Sequence, residues 1–230
     1  MKTLHWSKQI ILLLFLVSHS ILAIENYEKQ ELILAKAELA IADGKSDEAI
    51  QLLSQNLSSQ QFHRESFLTL AELYLKLNQP AKALRLYHFI IKKLHGKTLL
   101  EITHKDFLLE KLEKTAKPST EALETYFQMG QTFYGIYDKP EYSEKLQLSM
   151  LHLAEKYLLI TKHYKFAEAE SQYLLGIVQN KLSSYQESIQ NFLDAKELFE
   201  AMSTPAEPVN ETTEKTLHLY LADSLIKDGF

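Results

Sequence analysis

The chain has 230 residues with only six Gly and five Pro, a scarcity that, beside abundant Leu, Ala, Glu and Lys, argues against a strand-rich fold and predicts a nearly all-helical one. It contains no Cys, which excludes disulfides, a thiolate nucleophile, a cysteine zinc site and a lipid-modified N-terminal cysteine. With 25 Lys plus Arg against 30 Asp plus Glu, for a formal net charge of −5, and with no long basic run, the electrostatic footprint of a nucleic-acid binder is missing too.

Residues 1–23 read as a secretory signal peptide. Lys2 and Lys8 give a positive start, Ile10 to Val17 is an unbroken apolar run, and Ser18, Ser20 and Ala23 follow as small residues. Cleavage after Ser20 fits the small-x-small preference better than cleavage after Ala23, and both sites stay open. A retained segment would be a membrane anchor, but its run is short against the ~20 apolar residues that a bilayer requires. The expected location is therefore exported, periplasmic or secreted if the source is bacterial, with an anchored form facing the exported side as the alternative.

From residue 24 to 97 the chain spells two 34-residue helical hairpins. Ala37-Glu38-Leu39 returns as Ala71-Glu72-Leu73, Leu34 as Leu68, Ala49 as Ala83 and Leu52 as Leu86. Gly44 ends the first helix, and Ser46 is placed to cap the second, with Asp47 and Glu48 suiting the positive end of its dipole. In the second hairpin Pro80 stands near the first helical position, where a missing N–H costs little. Small residues at Ala71 and Ala83, among Leu70, Tyr74 and Tyr87, predict close helix approach with aromatics filling the space around it.

These positions resemble the tetratricopeptide repeat (TPR) family, whose 34-residue helix-turn-helix unit has a small residue in its first helix, an aromatic three positions later and Ala early in its second. Ala71, Tyr74, Ala83 and Tyr87 carry the resemblance in residues 64–97. Residues 30–63 depart from it at Ala40 and Lys36, where the family favours an aromatic and Leu. The resemblance implies a right-handed superhelical solenoid of antiparallel helix pairs.

Residues 98–117 are expected to continue as a bridging or degenerate helix, on the apolar Leu99, Leu100, Ile102, Phe107, Leu108 and Leu112, until Lys117-Pro118 ends it. From 118 to 230 the pattern returns in longer units. Gly130, with Phe133 close by, aligns with Gly176 and then Ala222 at two steps of 46 residues. Tyr142 to His163 is expected to form a long helix, and Ser184-Tyr-Gln-Glu187 has capping-box spacing ahead of a helix carrying Phe192 and Ala195. Two prolines within 203–213 predict a loop before a lone final helix.

No compact chemistry stands out. Nine His are scattered without metal-ligand spacing, and neither a phosphate-binding glycine loop nor a Gly-x-Ser-x-Gly elbow is present. The expectation is a non-enzymatic chain with no catalytic residues, metal or cofactor, and without nucleic acid or a small-molecule substrate as partner. What the resemblance implies instead is a concave groove lined by first-helix residues. These are Leu34, Glu38, Leu68, Glu72, Lys76, Phe127, Gln131, Tyr134, Tyr173, Ile177, Asn180 and Asp223, with Leu219 beside them. Such a groove would hold another protein or peptide segment by apolar anchors, in the role of a scaffold or adaptor in envelope assembly or maintenance. The alternatives are a membrane-anchored assembly factor and a self-association module using Leu217, Leu221, Leu225 and Ile226 of the last helix.

Overall fold

A computed structural model describes residues 26–57, 62–96, 99–102, 104–137, 142–202 and 211–229. The expected leader, residues 138–141 and residues 203–210 of the expected proline-bearing loop lie outside them. Among the described residues there are ten helices and no strand. Contacts divide the chain into Met1–Gln79 and Pro80–Phe230, a boundary inside the second 34-residue unit.

In the first unit α1 (26–42) is followed by α2 (Ser46–Leu57) and α3 (Arg64–Lys76). Ala40, Ala49 and Leu73 form a buried cluster flanked by Ile41, Ile50 and Leu77, so three helices share one apolar seam. Both α1 and α3 end in the same way. Gly44 takes φ +75, its N–H bonds to Ile41 O at 3.0 Å, and Lys45 N–H reaches Ala40 O at 2.8 Å. Thirty-four positions on, Asn78 takes φ 56, its N–H bonds to Leu75 O at 3.0 Å, and Gln79 N–H reaches Tyr74 O at 2.7 Å. This is the Schellman cap, in which a left-handed residue lets two N–H groups satisfy carbonyls that the helix end would orphan. Ser46, expected as an N-cap, is instead the first residue of α2, and Lys45 O accepts the N–H of Ala49.

The second unit holds α4 (Pro80–Leu94), α5 (Lys105–Glu113), α6 (Thr120–Tyr137), α7 (Glu144–His163), α8 (Glu168–Lys181), α9 (Tyr185–Met202) and α10 (Glu211–Lys227). Neighbours pack in sequence, α6 on α7, α7 on α8, α8 on α9 and α9 on α10, with α4 also against α6 and α5 against α7. The expected helix over 98–117 is corrected. Among its described residues only Lys105–Glu113 is helical, and residues 99–101 form a turn. The i, i+3 spacing of Leu99 and Ile102, both buried, is met by a turn as well as by a helix. Tyr164 then ties the end of α5 down, its hydroxyl donating toward Leu112 O and Thr115 O at 3.3 and 3.1 Å.

Close approach between helices is set by glycine against a large side chain. A Cβ on Gly130 of α6 would lie 2.8 Å from Leu158 Cγ of α7, and one on Gly176 of α8 would lie 2.8 Å from Phe192 Cε1 of α9. The second helices share a further signature, a small residue followed four positions later by a bulky one. The pairs are Ala49 and Leu53, Ala83 and Tyr87, Ala154 and Leu158, and Ser188 and Phe192, none more than 1% exposed. One turn apart on a helix, such residues face the same neighbour. Beside them Tyr157 stacks between Tyr126 and Phe133, with ring centroids 6.0 and 5.6 Å away. Ala222 departs from the expected close contact and is exposed. α9 does begin after Ser184, but the Glu187 carboxylate meets Lys105 and Gln179.

Gly176→Ala should lower the thermal midpoint, because the Phe192 ring is fully buried and overpacking of this kind costs about 1–3 kcal/mol. Gly135→Ala is the control: nothing lies within 4 Å of its added Cβ, and Ala gains up to ~1 kcal/mol over Gly within a helix. Melting followed by circular dichroism should move the two midpoints in opposite directions.

Candidate functional site

The twelve residues expected to line a groove fall into three kinds of place. Leu34, Leu68, Ile177 and Asn180 are buried, at 8%, 5%, 4% and 3% exposure, and they serve the interior. Asn180 is spent within the fold: its Nδ2 donates to Asp223 Oδ2 at 2.9 Å and Ser224 Oγ at 2.8 Å, and Asp223 also pairs with Lys227 at 2.7 Å. The aromatics are half-buried against neighbours. Phe127 meets Phe166 edge-on at 6.4 Å, Tyr173 lies 6.3 Å from Phe192 and 6.4 Å from Phe199, and Tyr134 packs on the cluster of Ile177, Phe192, Ala195 and Leu217. Glu38, Glu72, Lys76 and Gln131 are exposed. The expected apolar anchors are thus largely seam residues between helices, and the positions that meet solvent are charged or polar.

Buried polar chemistry sits at positions that local spacing alone does not announce. In the first unit Asn56, 2% exposed, donates through Nδ2 to Gln30 O and to Ser66 Oγ, each at 2.8 Å. Ser66 Oγ lies 2.9 Å from His63 Nδ1, and His63 Nε2 lies 3.2 Å from Glu31 Oε1. The Glu31 carboxylate can only accept, so Nε2–H is the donor in that bond, and a ring protonated there alone takes the Ser66 hydroxyl proton at Nδ1. Bonds to Tyr27 and His63 hold the Glu31 carboxyl below its ordinary range. Ser66 is fully buried, which makes this a structural relay across three helices; the serine cannot reach a substrate.

The second unit carries a larger network. Lys105 of α5 reaches Glu155 of α7 at 2.9 Å and Glu187 of α9. Gln179 of α8 donates to both carboxylates at 3.3 and 3.0 Å and accepts from Asn191 at 2.6 Å. Lys162 closes the set by donating to Asn191. Burial pulls the Lys105 ammonium down, but the two carboxylates outweigh it and hold its pKa above the ordinary value. One signal of these residues was available. Asn56 continues the buried stripe of Ala49 and Leu53, and Glu155 adjoins Ala154 on that of Leu151 and Leu158, so each is a polar residue at an apolar position.

Beside this network Ile102, His104, Lys105, Leu108, His152, Glu155, Lys156 and Leu159 line a cavity of about 80 Å³, small against the ~300–1,000 Å³ of ligand sites. Lys156 Nζ donates to Leu100 O at 2.8 Å and lies 5.1 Å from the Tyr157 ring centroid, while burial pulls its pKa from 10.5 to about 8. Among the described residues no group of three or more His, Cys, Asp or Glu could hold a metal ion, and no helix is long and apolar enough to cross a membrane. Comparison of the sequence with protein-family models and with curated proteins finds no match.

Two measurements probe this region. Lys105→Met leaves the buried Glu155 without its counter-charge and should cost about 1.5–3 kcal/mol in urea unfolding, by the worth of a charged hydrogen bond; adding Glu155→Gln should recover part of the loss. Lys156 has its folded pKa below the unfolded one, so the burial penalty is in full force below about pH 8 and is relieved as pH rises toward 10.5. Stability should therefore gain a rising component across that window, and Lys156→Met should abolish it.

Proposed function

We propose that the chain is a non-enzymatic helical-repeat scaffold of the tetratricopeptide kind, exported, which holds another protein against the solvent-facing side of its first helices. The observation that carries this reading is recurrence. Schellman turns at Gly44 and Asn78 stand 34 positions apart, and so do the small-and-bulky pairs at Ala49 and Ala83 and at Ala154 and Ser188. Stacked repeats use their interior to hold one another and leave an extended outer surface for partners. The buried polar groups support the same view, since Asn56, Ser66, Glu155, Gln179 and Asn191 all spend their bonds on neighbouring helices.

In the first unit the docking row on this reading carries two exposed carboxylates against one exposed ammonium, that of Lys76. Glu38 and Glu72 are exposed and 34 positions apart, and Leu39 beside Glu38 is 68% exposed. A basic segment with an apolar anchor is the complementary partner.

The test is cross-linking and affinity capture from the native envelope with wild type and with Glu38→Lys plus Glu72→Lys. The double variant should keep its helicity and lose the partner that wild type retains in high yield. A variant that still holds every wild-type partner would end the reading. N-terminal sequencing of the same material tells a released chain, starting near Ile21 or Ile24, from one anchored through an intact Met1.

A further inference from the structure

The 15 residues of α4 include Lys82, Arg85, His88, Lys92 and Lys93 and no acid, in a chain whose formal net charge is −5. Ala83, Tyr87, Ile90 and Ile91 are buried. Every exposed residue of the helix, the basic ones and Phe89 among them, falls within an arc of about 140° on the other side. Phe89, 38% exposed, stands inside that arc with Lys93 Nζ 5.5 Å from its ring centroid.

The electrostatics of the fold itself does not account for this face. Other exposed cations take an acid one turn away on their own helix, as Lys114 does Glu110, Lys196 Glu200 and Lys227 Asp223. Arg85, Lys92 and Lys93 meet no carboxylate among the described residues, while Lys82 has a partner of its own. Glu121 and Glu124 of α6, the helix packed on α4, are likewise engaged. Lys92 and Lys93 suit the negative end of the helix dipole, but Lys82 and Arg85 stand in the first two turns, where the dipole disfavours cations. Three positions apart, those two also repel one another. A face assembled against both effects is relieved from outside, by an anionic surface.

We propose that this face lies against an anionic phospholipid bilayer, with its ammonium and guanidinium groups on the lipid phosphates and Phe89 between them at the edge of the acyl chains. A convex arc offers a peptide neither a groove nor a strand edge, the features that hold extended or helical segments. It meets a plane along its whole length, ~16 Å from Lys82 to Lys93 at ~1.5 Å per residue. Lys and Arg stems keep their methylenes with the apolar layer while the charged heads reach the phosphates, and an aromatic among cations is the composition of a helix lying in the interface. The net negative charge of the chain does not prevent contact. At physiological salt, charges more than about 8 Å away are largely screened, so the cations nearest the bilayer decide, each strengthening attachment roughly fivefold.

α4 belongs to the second unit and the row of Glu38 and Glu72 to the first, so this attachment and the scaffold reading stand or fall separately. The test is co-sedimentation of the full chain with vesicles of phosphatidylcholine alone and of phosphatidylcholine with phosphatidylglycerol. Wild type should bind the anionic vesicles several-fold better than the neutral ones, and high salt should release it. Arg85→Glu plus Lys92→Glu should weaken that binding at least about tenfold with helicity unchanged, since both positions are exposed. Lys36→Glu plus Lys145→Glu makes the same change in net charge at exposed positions off α4 and should bind like wild type. Phe89→Asn, which leaves the charge alone, should bind several-fold more weakly. Soluble polyglutamate should displace little of the bound chain, because it offers Phe89 no apolar layer. Equal binding to both kinds of vesicle, equal loss in the two charge-reversal pairs, an unaffected Phe89→Asn, or displacement by polyglutamate as complete as by salt, which would assign the face to an acidic polypeptide, would each overturn the proposal.

Discussion

The fold of the larger unit depends on letting two helices come within reach of each other's backbone. At Gly130 and Gly176 there is no room for even one more carbon, since the added Cβ would fall 2.8 Å from Leu158 or Phe192. A large side chain seated on a glycine excludes water from both helices and fixes their lateral register, because a shift of one turn would drive that side chain against a bulkier neighbour. Around this contact the rest of the packing follows. Tyr126, Phe133 and Tyr157 fill the space left beside Gly130 and Leu158, and Tyr173, Phe199 and Tyr220 gather round Phe192.

Polar bonds do a different task. Apolar contacts tolerate small slips, whereas a buried amide or carboxylate loses its bonds when its helix slides, and an unmet buried group costs about 1–3 kcal/mol. Asn56 therefore locks α2 to α1 and α3, and Gln179, through Glu155, Glu187 and Asn191, locks α8 to α7 and α9. Asn180 repeats the device toward α10, where it meets Asp223 and Ser224 while Ser188 reaches Ser224 at 3.0 Å. Asn56, Gln179, Asn180 and Asn191, each no more than 3% exposed, thus hold relative positions between helices.

Helix class, the two turns at Gly44 and Asn78, the entry of α4 at Pro80 and the long α7 were legible because each rests on local rules that a few adjacent residues obey. Gly130 and Gly176 were legible as a recurrence at a step of 46, but not as close contacts, because Gly135 stands in the same helical pattern with nothing within 4 Å of an added Cβ. What failed to be legible depended on partners far along the chain. Phe127, Tyr134 and Tyr173 have helical spacing whether they face a groove or a neighbouring helix, and the rings that cover them, Phe166 and Phe199 among them, lie dozens of residues on. Glu155 stands on the apolar stripe of Leu151 and Leu158, but the charge that meets it there, Lys105, comes from 50 positions earlier. Residues 99–101 miscarried for a related reason, because three apolar residues in four satisfy a buried turn as readily as a helix.

The two repeat lengths in this chain follow from the same contact. A period of 34 relates Ala49 to Ala83 and Ala154 to Ser188, and a period of 46 relates Gly130 to Gly176 and Ala222. Over residues 118–230 the first runs from second helix to second helix across α8, at 14 residues, and the second from first helix to first helix across α7, at 20. Length is therefore free to vary while the seat between a small residue and a large one stays fixed. Side chains in the seat answer to the neighbouring helix, and only those outside it, Glu38, Glu72 and Gln131 among them, are free to answer to something else.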